Sequence, residues 1–508
     1  MKRKINQLRA GVLISYINLF TSSIIPLIYT PIMLRVLGQA EYGLYSLSNS
    51  VISYLTLLTL GFGSTIIRYL SKYKAEGKKD QEERIFGFFI VLYCALAILV
   101  LISAFFIANN VDFIFQKGLT GDETSKMYKL VLIMSVSTAL SFPISVFSSV
   151  ISAHERFIFI KSINLVSTIA GPIFNLIALY MGFASIGMAL AGTIINAAIL
   201  PVEVWYCLKK IDIHPKFTLL PKSFIYELLT FSVYIFIGSI VDMLFWSTDK
   251  VILGMLTGSM IVAVYNVGAT FNSMVMQLST SISGLLIPKI SGMVIERTAE
   301  SKLTDLFIRI GRIQYLIIAL IVSGFTVYGR SFIQLWVGDL YSQSYWIAIL
   351  TMFPLCIPLI QNTGVNIVIA QNKHQFRSIV YLVIAILNMV STYMIVPYWG
   401  ALGAAFCSCI SYILGQGIIM NLYYYKVTKI DIPLFWKNIF KMSIVPGIMT
   451  IIGLILQTYI KICNWNIFLF EVIFFIVIYT ILMYVFALND YEQNLLKSII
   501  RVFFKKNK

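Results

Sequence analysis

The chain has 508 residues, of which 59% are hydrophobic and 12% are charged, and its formal net charge is +17. The core of a soluble protein does not use this much apolar side chain, so soluble classes are excluded. The basic residues flank apolar runs and form no separate basic domain. We therefore expect them to orient the chain and contact anionic membrane lipids, and no nucleic-acid partner is expected.

The apolar residues form fourteen stretches that are long enough to cross a bilayer, which takes about 20 residues for each helix. They lie near residues 11–34, 43–67, 85–109, 128–152, 160–181, 184–207, 225–249, 260–287, 308–329, 346–370, 378–396, 402–425, 440–460 and 467–487. The predicted fold class is an all-α membrane protein with fourteen transmembrane helices.

The lysines and arginines at the breaks between these stretches alternate in number along the chain. One alternating set of breaks, which includes both termini, holds 32 basic residues, and the other set holds 7. Positively charged residues stay in the cytoplasm, so both termini are predicted to be cytoplasmic and the protein to lie in the plasma membrane. The connecting loops reach only about 20 residues, which leaves no room for a catalytic domain, so we expect no enzyme.

The chain contains an internal repeat at an offset of about 220 residues. Gly38 and Tyr45 after span 1 line up with Gly258 and Tyr265 after span 7. Each repeat holds six spans, so the two repeats enter the membrane with the same polarity. The predicted organisation is two parallel six-helix bundles, residues 1–215 and 216–430, followed by residues 431–508, which hold spans 13 and 14 and a basic cytoplasmic tail.

Three short segments carry a family resemblance, namely RVLGQAEYGLY (residues 35–45), LGFGSTIIRY (60–69) and TDK (248–250). Together with the arrangement of six, six and two spans, they make the chain resemble the Wzx-type oligosaccharide flippases. These belong to the multidrug/oligosaccharidyl-lipid/polysaccharide exporter superfamily. The resemblance implies that an undecaprenyl-diphosphate-linked oligosaccharide moves from the inner to the outer leaflet by alternating access. Such transport serves the assembly of capsule, O-antigen or cell-wall polysaccharide.

Two arginines near the ends of the first two spans, Arg35 and Arg68, are the candidate ligands of the diphosphate headgroup. A guanidinium group stays charged and binds phosphate oxygens through two parallel hydrogen bonds. The alternative is that both side chains extend to the membrane surface and only anchor the helices.

Acidic and basic residues also occur around span 7, where Asp242, Asp249 and Lys250 are candidates for ion coupling or gating. Ionisable groups inside a membrane are costly, which makes them functional candidates. Asp242 and Asp249 are seven residues apart and are expected on one helix face. An ion pair of Asp249 with Arg35 or Lys250 is the structural alternative. Glu471 in span 14 has no obvious partner in the sequence.

The chain shows no metal-binding motif, and no cofactor is expected, although a proton or sodium gradient is a candidate energy source. The expected partners are membrane lipids, the lipid-linked oligosaccharide, and the polymerase and chain-length machinery for the same glycan. A lipid II flippase and a multidrug cation antiporter of the same superfamily are alternatives. A membrane glycan polymerase is disfavoured because no long outer loop is present.

Overall fold

The computed structural model describes residues 7–218, 221–284, 290, 292–294, 296, 300–371, 373–460, 462, 464–494 and 497. Helices account for the regular structure of these residues, and no strand occurs among them. Both termini, which are predicted to be cytoplasmic, lie outside the described residues.

Eighteen helices follow one another in the described part of the chain. They are α1 (Gln7–Leu37), α2 (Gln39–Leu55), α3 (Phe62–Ala75), α4 (Lys79–Asn109), α5 (Val111–Ile114), α6 (Gly121–Ala153), α7 (Phe157–Tyr180), α8 (Ala184–Tyr206), α9 (Lys222–Trp246), α10 (Thr248–Leu256), α11 (Ser259–Gly284), α12 (Glu300–Val337), α13 (Gln343–Ile360), α14 (Asn362–Ala370), α15 (His374–Tyr412), α16 (Met420–Lys426), α17 (Ile432–Tyr459) and α18 (Trp465–Phe486). Short 3-10 turns occupy Thr56–Thr59 and Asp339–Tyr341, and π-helical turns occupy Cys207–Ile211 and Ile413–Ile419.

Among the described residues, 12 helical segments are long and apolar enough to cross a membrane. This confirms an all-helical, multi-pass membrane protein. One segment, Gln375–Lys426, has 52 residues. Its backbone breaks at Gly400, where φ is 53° and ψ is −137°. A further apolar helix, Ile235–Trp246, is shorter than the others. The count of fourteen spans stays a prediction.

The described helices fall into two compact units. The first comprises residues 1–266 and 389–401, and the second comprises residues 267–388 and 402–508. This division follows compactness, whereas the predicted division at residues 215 and 430 follows the sequence repeat. The six-helix bundles therefore remain a prediction of the repeat.

Aromatic side chains fill the core of the first unit between α4 and α6. The Phe86 and Phe147 rings meet edge to face with centroids 5.5 Å apart, and Tyr93 lies 5.9 Å from Phe142. The helix α6 begins with a capping box, in which Thr120 and Glu123 bond each other's backbone N–H groups. The cap satisfies two backbone donors where the helix starts, next to solvent.

In the second unit, α17 and α18 pack against α12 through a cluster of large apolar side chains. The cluster includes Val327, Tyr328, Met442, Phe475, Tyr479 and Met483. The Tyr479 hydroxyl donates to the Leu316 carbonyl oxygen at 2.9 Å. On the other side of α18, the exposed fractions of Phe470 and Phe474 are 71% and 56%. The last two helices thus have one packed face and one apolar face suited to lipid.

Candidate functional site

Arg35 lies in the last turn of α1, where its side chain is exposed. The helix ends because Gly38 has φ of 79°, a backbone conformation that glycine adopts at little cost. The chain therefore passes from α1 into α2 through the single residue Gly38.

Arg68 lies on α3, and its exposed guanidinium group sits 5.8 Å from the centre of the Tyr69 ring. The Tyr69 hydroxyl donates to Glu227 Oε1 on α9 at 2.7 Å. The hydroxyl oxygens of Thr65 on α3 and Ser232 on α9 are 2.8 Å apart. Arg68 thus stands beside the contact of α3 with α9.

The two arginines lie towards opposite ends of the segment formed by α2 and α3. Arg35 precedes α2, and Arg68 is in the middle of α3. The helix α2 between them has 17 residues, which give about 26 Å of rise, and the chain turns at Leu60 and Gly61 before α3 begins.

Asp249 is buried in the first turn of α10, with 1% of its surface exposed. It accepts hydrogen bonds from the Tyr265 hydroxyl on α11 at 2.6 Å and from Thr392 Oγ1 on α15 at 3.4 Å. Its neighbour Thr248 is 2.5 Å from the Tyr54 hydroxyl. The carboxyl of Asp249 therefore joins three helices of the first unit.

Asp242 does not share the environment of Asp249. Its side chain is exposed on α9, and Lys250 is half-buried. The expectation of one helix face is wrong because α9 ends at Trp246 and α10 begins at Thr248, with Ser247 between them. The structure thus places Asp249 inside the unit and leaves Asp242 on its surface.

Gly43, in the segment of residues 35–45, allows α2 to approach α11 closely. A methyl group on Gly43 would overlap the backbone carbonyl oxygen of Ser259. Beside this contact, the Asn266 Nδ2 atom donates to the Tyr42 hydroxyl at 2.5 Å. Ser259 also donates to Glu123. The contact is therefore made of backbone and small polar groups.

Sequence reasoning missed a second buried acid, Glu203 on α8. It is 1% exposed, and the Ser148 hydroxyl on α6 lies 2.8 Å from each of its carboxylate oxygens. Among the described residues, no lysine, arginine or histidine forms an ion pair with it. An acidic residue four positions inside a predicted span was the available signal.

A third polar cluster, also missed, lies where α2, α6 and α8 begin. Lys126 Nζ donates to Glu41 Oε2 at 2.6 Å, and Ser185 donates to the other oxygen of Glu41. The charge asymmetry predicts this end to be extracytoplasmic. Glu41 thereby ties α2 to α6 and α8.

At the opposite end of the first unit, the segment after α8 is held by exposed ion pairs. Lys216 is paired with Asp80 at 2.8 Å and with Glu83 at 2.9 Å, and these carboxylates raise the pKa of Lys216. Lys79 hydrogen-bonds Asp212 at 3.2 Å and holds the pKa of Asp212 below its usual value. The pairs with Asp80 and Asp212 are solvated and each adds little stability, whereas the Glu83 carboxylate is buried.

In the second unit, the structure supplies the partner of Glu471 that the sequence did not show. Gln457 on α17 donates to Glu471 Oε2 at 2.8 Å.

A separate buried ion pair joins Arg312 to Glu492, with Nε–Oε1 and Nη2–Oε2 distances of 2.6 and 2.8 Å. Arg312 also donates to the Ala487 carbonyl oxygen at 2.9 Å. These bonds attach the residues after α18 to α12.

Within the part of the chain that the structure describes, no group of three or more His, Cys, Asp or Glu side chains is arranged to hold a metal ion.

Comparison with known proteins gives a family match and several similar folds. Residues 8–294, more than half of the chain, match the family model described as "Polysaccharide biosynthesis protein". The uncharacterized membrane protein EpsK of Bacillus subtilis is 22% identical over 421 residues, which is 81% of each chain.

Two solved transporter structures share the fold. The lipid II flippase MurJ in an inward closed conformation superposes with a TM-score of 0.75 at 16% identity, covering 96% of this chain and 100% of MurJ. A variant of the MATE transporter VcmN of Vibrio cholerae has a TM-score of 0.60 at 14% identity, covering 84% and 98%. At these identities the likeness shows the fold alone.

Proposed function

Because the chain belongs to the polysaccharide biosynthesis protein family and has the fold of MurJ and the MATE transporters, we propose that it flips an undecaprenyl-diphosphate-linked oligosaccharide. The transfer runs from the inner to the outer leaflet of the plasma membrane, for capsule, O-antigen or cell-wall assembly. The family match over residues 8–294 is the observation that carries this proposal.

The charged headgroup is the part of the substrate that is difficult to move across the membrane. A polyprenyl chain loses nothing by staying in hydrocarbon, whereas a sugar diphosphate must be shielded from it. We assign shielding of the negative charge to Arg35 and Arg68. Because these residues lie towards opposite ends of the α2–α3 segment, we assign Arg68 to the cytoplasmic side and Arg35 to the outer side. The headgroup then meets them in sequence during alternating access.

The proposal includes fourteen spans, cytoplasmic termini and coupling to a proton or sodium gradient. The length of Gln375–Lys426 favours the higher span count, because 52 residues of helix are about 78 Å long and the hydrocarbon core is about 30 Å thick. Asp249, with its Tyr265 and Thr392 partners, is the proposed coupling group, and Asp242 and Lys250 flank it. Glu203 is a second candidate for the proton. The polymerase and chain-length machinery for the same glycan are the proposed partners.

A reconstituted transport assay tests the proposal. The full-length protein is placed in proteoliposomes with a fluorescent undecaprenyl-diphosphate oligosaccharide, and the fraction reached by an impermeant glycosidase is followed over time. Lipid II and a labelled organic cation serve as competing substrates. Transport of lipid II or of the cation, without transport of the oligosaccharide, would establish one of the alternative functions instead.

The arginine assignment predicts how substitutions affect this assay. Arg68→Ala and Arg35→Ala should each lower the initial rate at least tenfold at unchanged protein levels, because neutral side chains leave the diphosphate uncompensated. Lysine at either position should restore only part of the rate, since it lacks the planar fork. Arg84→Ala, which removes an exposed surface pair with Asp80, is the matched control. Full activity of both alanine variants returns Arg35 and Arg68 to an anchoring role.

A further inference from the structure

A cavity opens in the first unit between α3, the end of α6 and the beginning of α7. Its volume is about 670 Å³. All three helix segments lie at the end of the unit that the charge asymmetry predicts to be cytoplasmic. The cavity therefore lies where the helices meet the headgroups of the inner leaflet, and none of the roles assigned above uses it.

Two lysines line this cavity from different helices, Lys74 on α3 and Lys161 on α7. Lys74 Nζ donates to the Ala153 carbonyl oxygen at 3.3 Å, which holds the ammonium group against the end of α6. An ammonium group has three donors, so two remain for a ligand. Glu155 also lines the cavity, which leaves a net lining charge of +1 from these three side chains.

The remaining lining is partly polar and partly apolar. Ser71 and Asn164 add neutral hydrogen-bonding groups, whereas Ile67 and Phe157 form an apolar wall. In addition, α7 begins at Phe157, where Gln7 Oε1 accepts from one backbone N–H group at 3.4 Å, and the positive end of the helix dipole faces the same region. A basic pocket with an apolar wall at the cytoplasmic membrane surface suits the headgroup and first methylenes of an anionic lipid.

We propose that this cavity binds the phosphate-bearing headgroup of a lipid in the cytoplasmic leaflet, with Lys74 and Lys161 as its cationic ligands. A bilayer phospholipid and the polyprenyl-diphosphate substrate both carry this chemistry. Binding of a phospholipid requires only that the protein lies in the membrane, whereas docking of the substrate also rests on the proposed function.

Native mass spectrometry of the full-length protein in detergent tests the site. The protein is titrated with phosphatidylglycerol, with undecaprenyl diphosphate and with diacylglycerol, which has no phosphate. Retention of at least one of the two phosphate lipids should weaken at least tenfold in the double variant Lys74→Gln, Lys161→Gln. Diacylglycerol should bind weakly and equally to both proteins. Replacing both lysines by arginine should keep the binding, because the charge is retained.

The matched control is the double variant Lys72→Gln, Lys209→Gln, which removes two exposed lysines from the same end of the unit without touching the cavity. It should bind phosphate lipids as the unmodified protein does. If both double variants lose phosphate-lipid binding equally, the binding depends on general surface charge and the proposal is overturned. Unchanged binding in the Lys74 and Lys161 variant would overturn it as well.

Comparing the binding of phosphatidylglycerol with that of undecaprenyl diphosphate identifies which lipid supplies the phosphate. Preference for undecaprenyl diphosphate makes the cavity a docking site for the substrate, and preference for phosphatidylglycerol makes it a phospholipid site. Because binding is measured without transport, the result stands apart from the proposed function. An unmodified protein that binds these lipids but flips no oligosaccharide would overturn the function and leave the site.

Discussion

Two helix contacts in this protein are built from opposite kinds of side chain. In the first unit, α2 meets α11 where Gly43 lies against the Ser259 backbone, and the Thr65 and Ser232 hydroxyls pair where α3 meets α9, beside the Tyr69 ring. In the second unit, α12 meets α17 and α18 through aromatic rings, methionines and the buried Arg312–Glu492 pair.

The difference matters because helices in a membrane gain no hydrophobic energy from each other. Close packing and hydrogen bonds hold them, and one interhelical hydrogen bond adds about 0.6 kcal/mol on average. A contact of small residues can therefore separate at low cost, whereas interdigitated rings and a buried ion pair resist separation. We expect the first contact to move during transport and the second to anchor the last two helices.

The largest expected effect is on the anchoring contact. Arg312→Met leaves Glu492 buried without its partner, which should lower the free energy of unfolding by about 3–5 kcal/mol. The thermal midpoint of the purified protein measures the loss. Arg309→Ala on the same helix removes only a guanidinium group 5.1 Å from the Tyr491 ring and should change little. An unchanged midpoint in the Arg312 variant would contradict an anchoring role.

The next effect concerns the contact expected to move. Gly43→Ala places a methyl group on the Ser259 carbonyl oxygen and forces α2 and α11 apart, at a cost of about 1–3 kcal/mol. The rate of oligosaccharide flipping should fall about tenfold or more, with little loss of folded protein. Gly63→Ala is the control, because a methyl group there meets no atom within 4 Å. Equal rates in the two variants would show that this closeness is not needed for transport.

The smallest effect tests a single hydroxyl pair. Thr65→Val removes the hydrogen bond with Ser232 while keeping the shape of the side chain, and should weaken the contact by about 0.6 kcal/mol, at most about 1.7. A double-mutant cycle with Ser232→Ala, read out in the flipping rate and in the thermal midpoint, isolates the pair. A coupling energy above 3 kcal/mol would place this contact among the anchoring ones.

The sequence predicts the parts of this fold that depend on local pattern. Apolar length locates the helices: the predicted first span, near residues 11–34, lies within α1, and the fourth, near 128–152, lies within α6, which begins earlier, at Gly121.

Contacts between distant residues are beyond such patterns. Ser148 and Glu203 are 55 residues apart, and neither local sequence predicts that the two side chains meet. The same holds for Glu471, whose partner Gln457 follows from the antiparallel packing of α17 and α18. The single residue Ser247 between α9 and α10 separates Asp242 from Asp249, which periodicity alone treats as one face.

The Arg312–Glu492 pair can form only late in the synthesis of the chain. The two residues are 180 positions apart, and a ribosome adds about 5–20 residues each second. The arginine therefore leaves the ribosome roughly 10 to 40 seconds before its carboxylate exists. During that interval a nascent or prematurely terminated chain carries an uncompensated cation beside the bilayer.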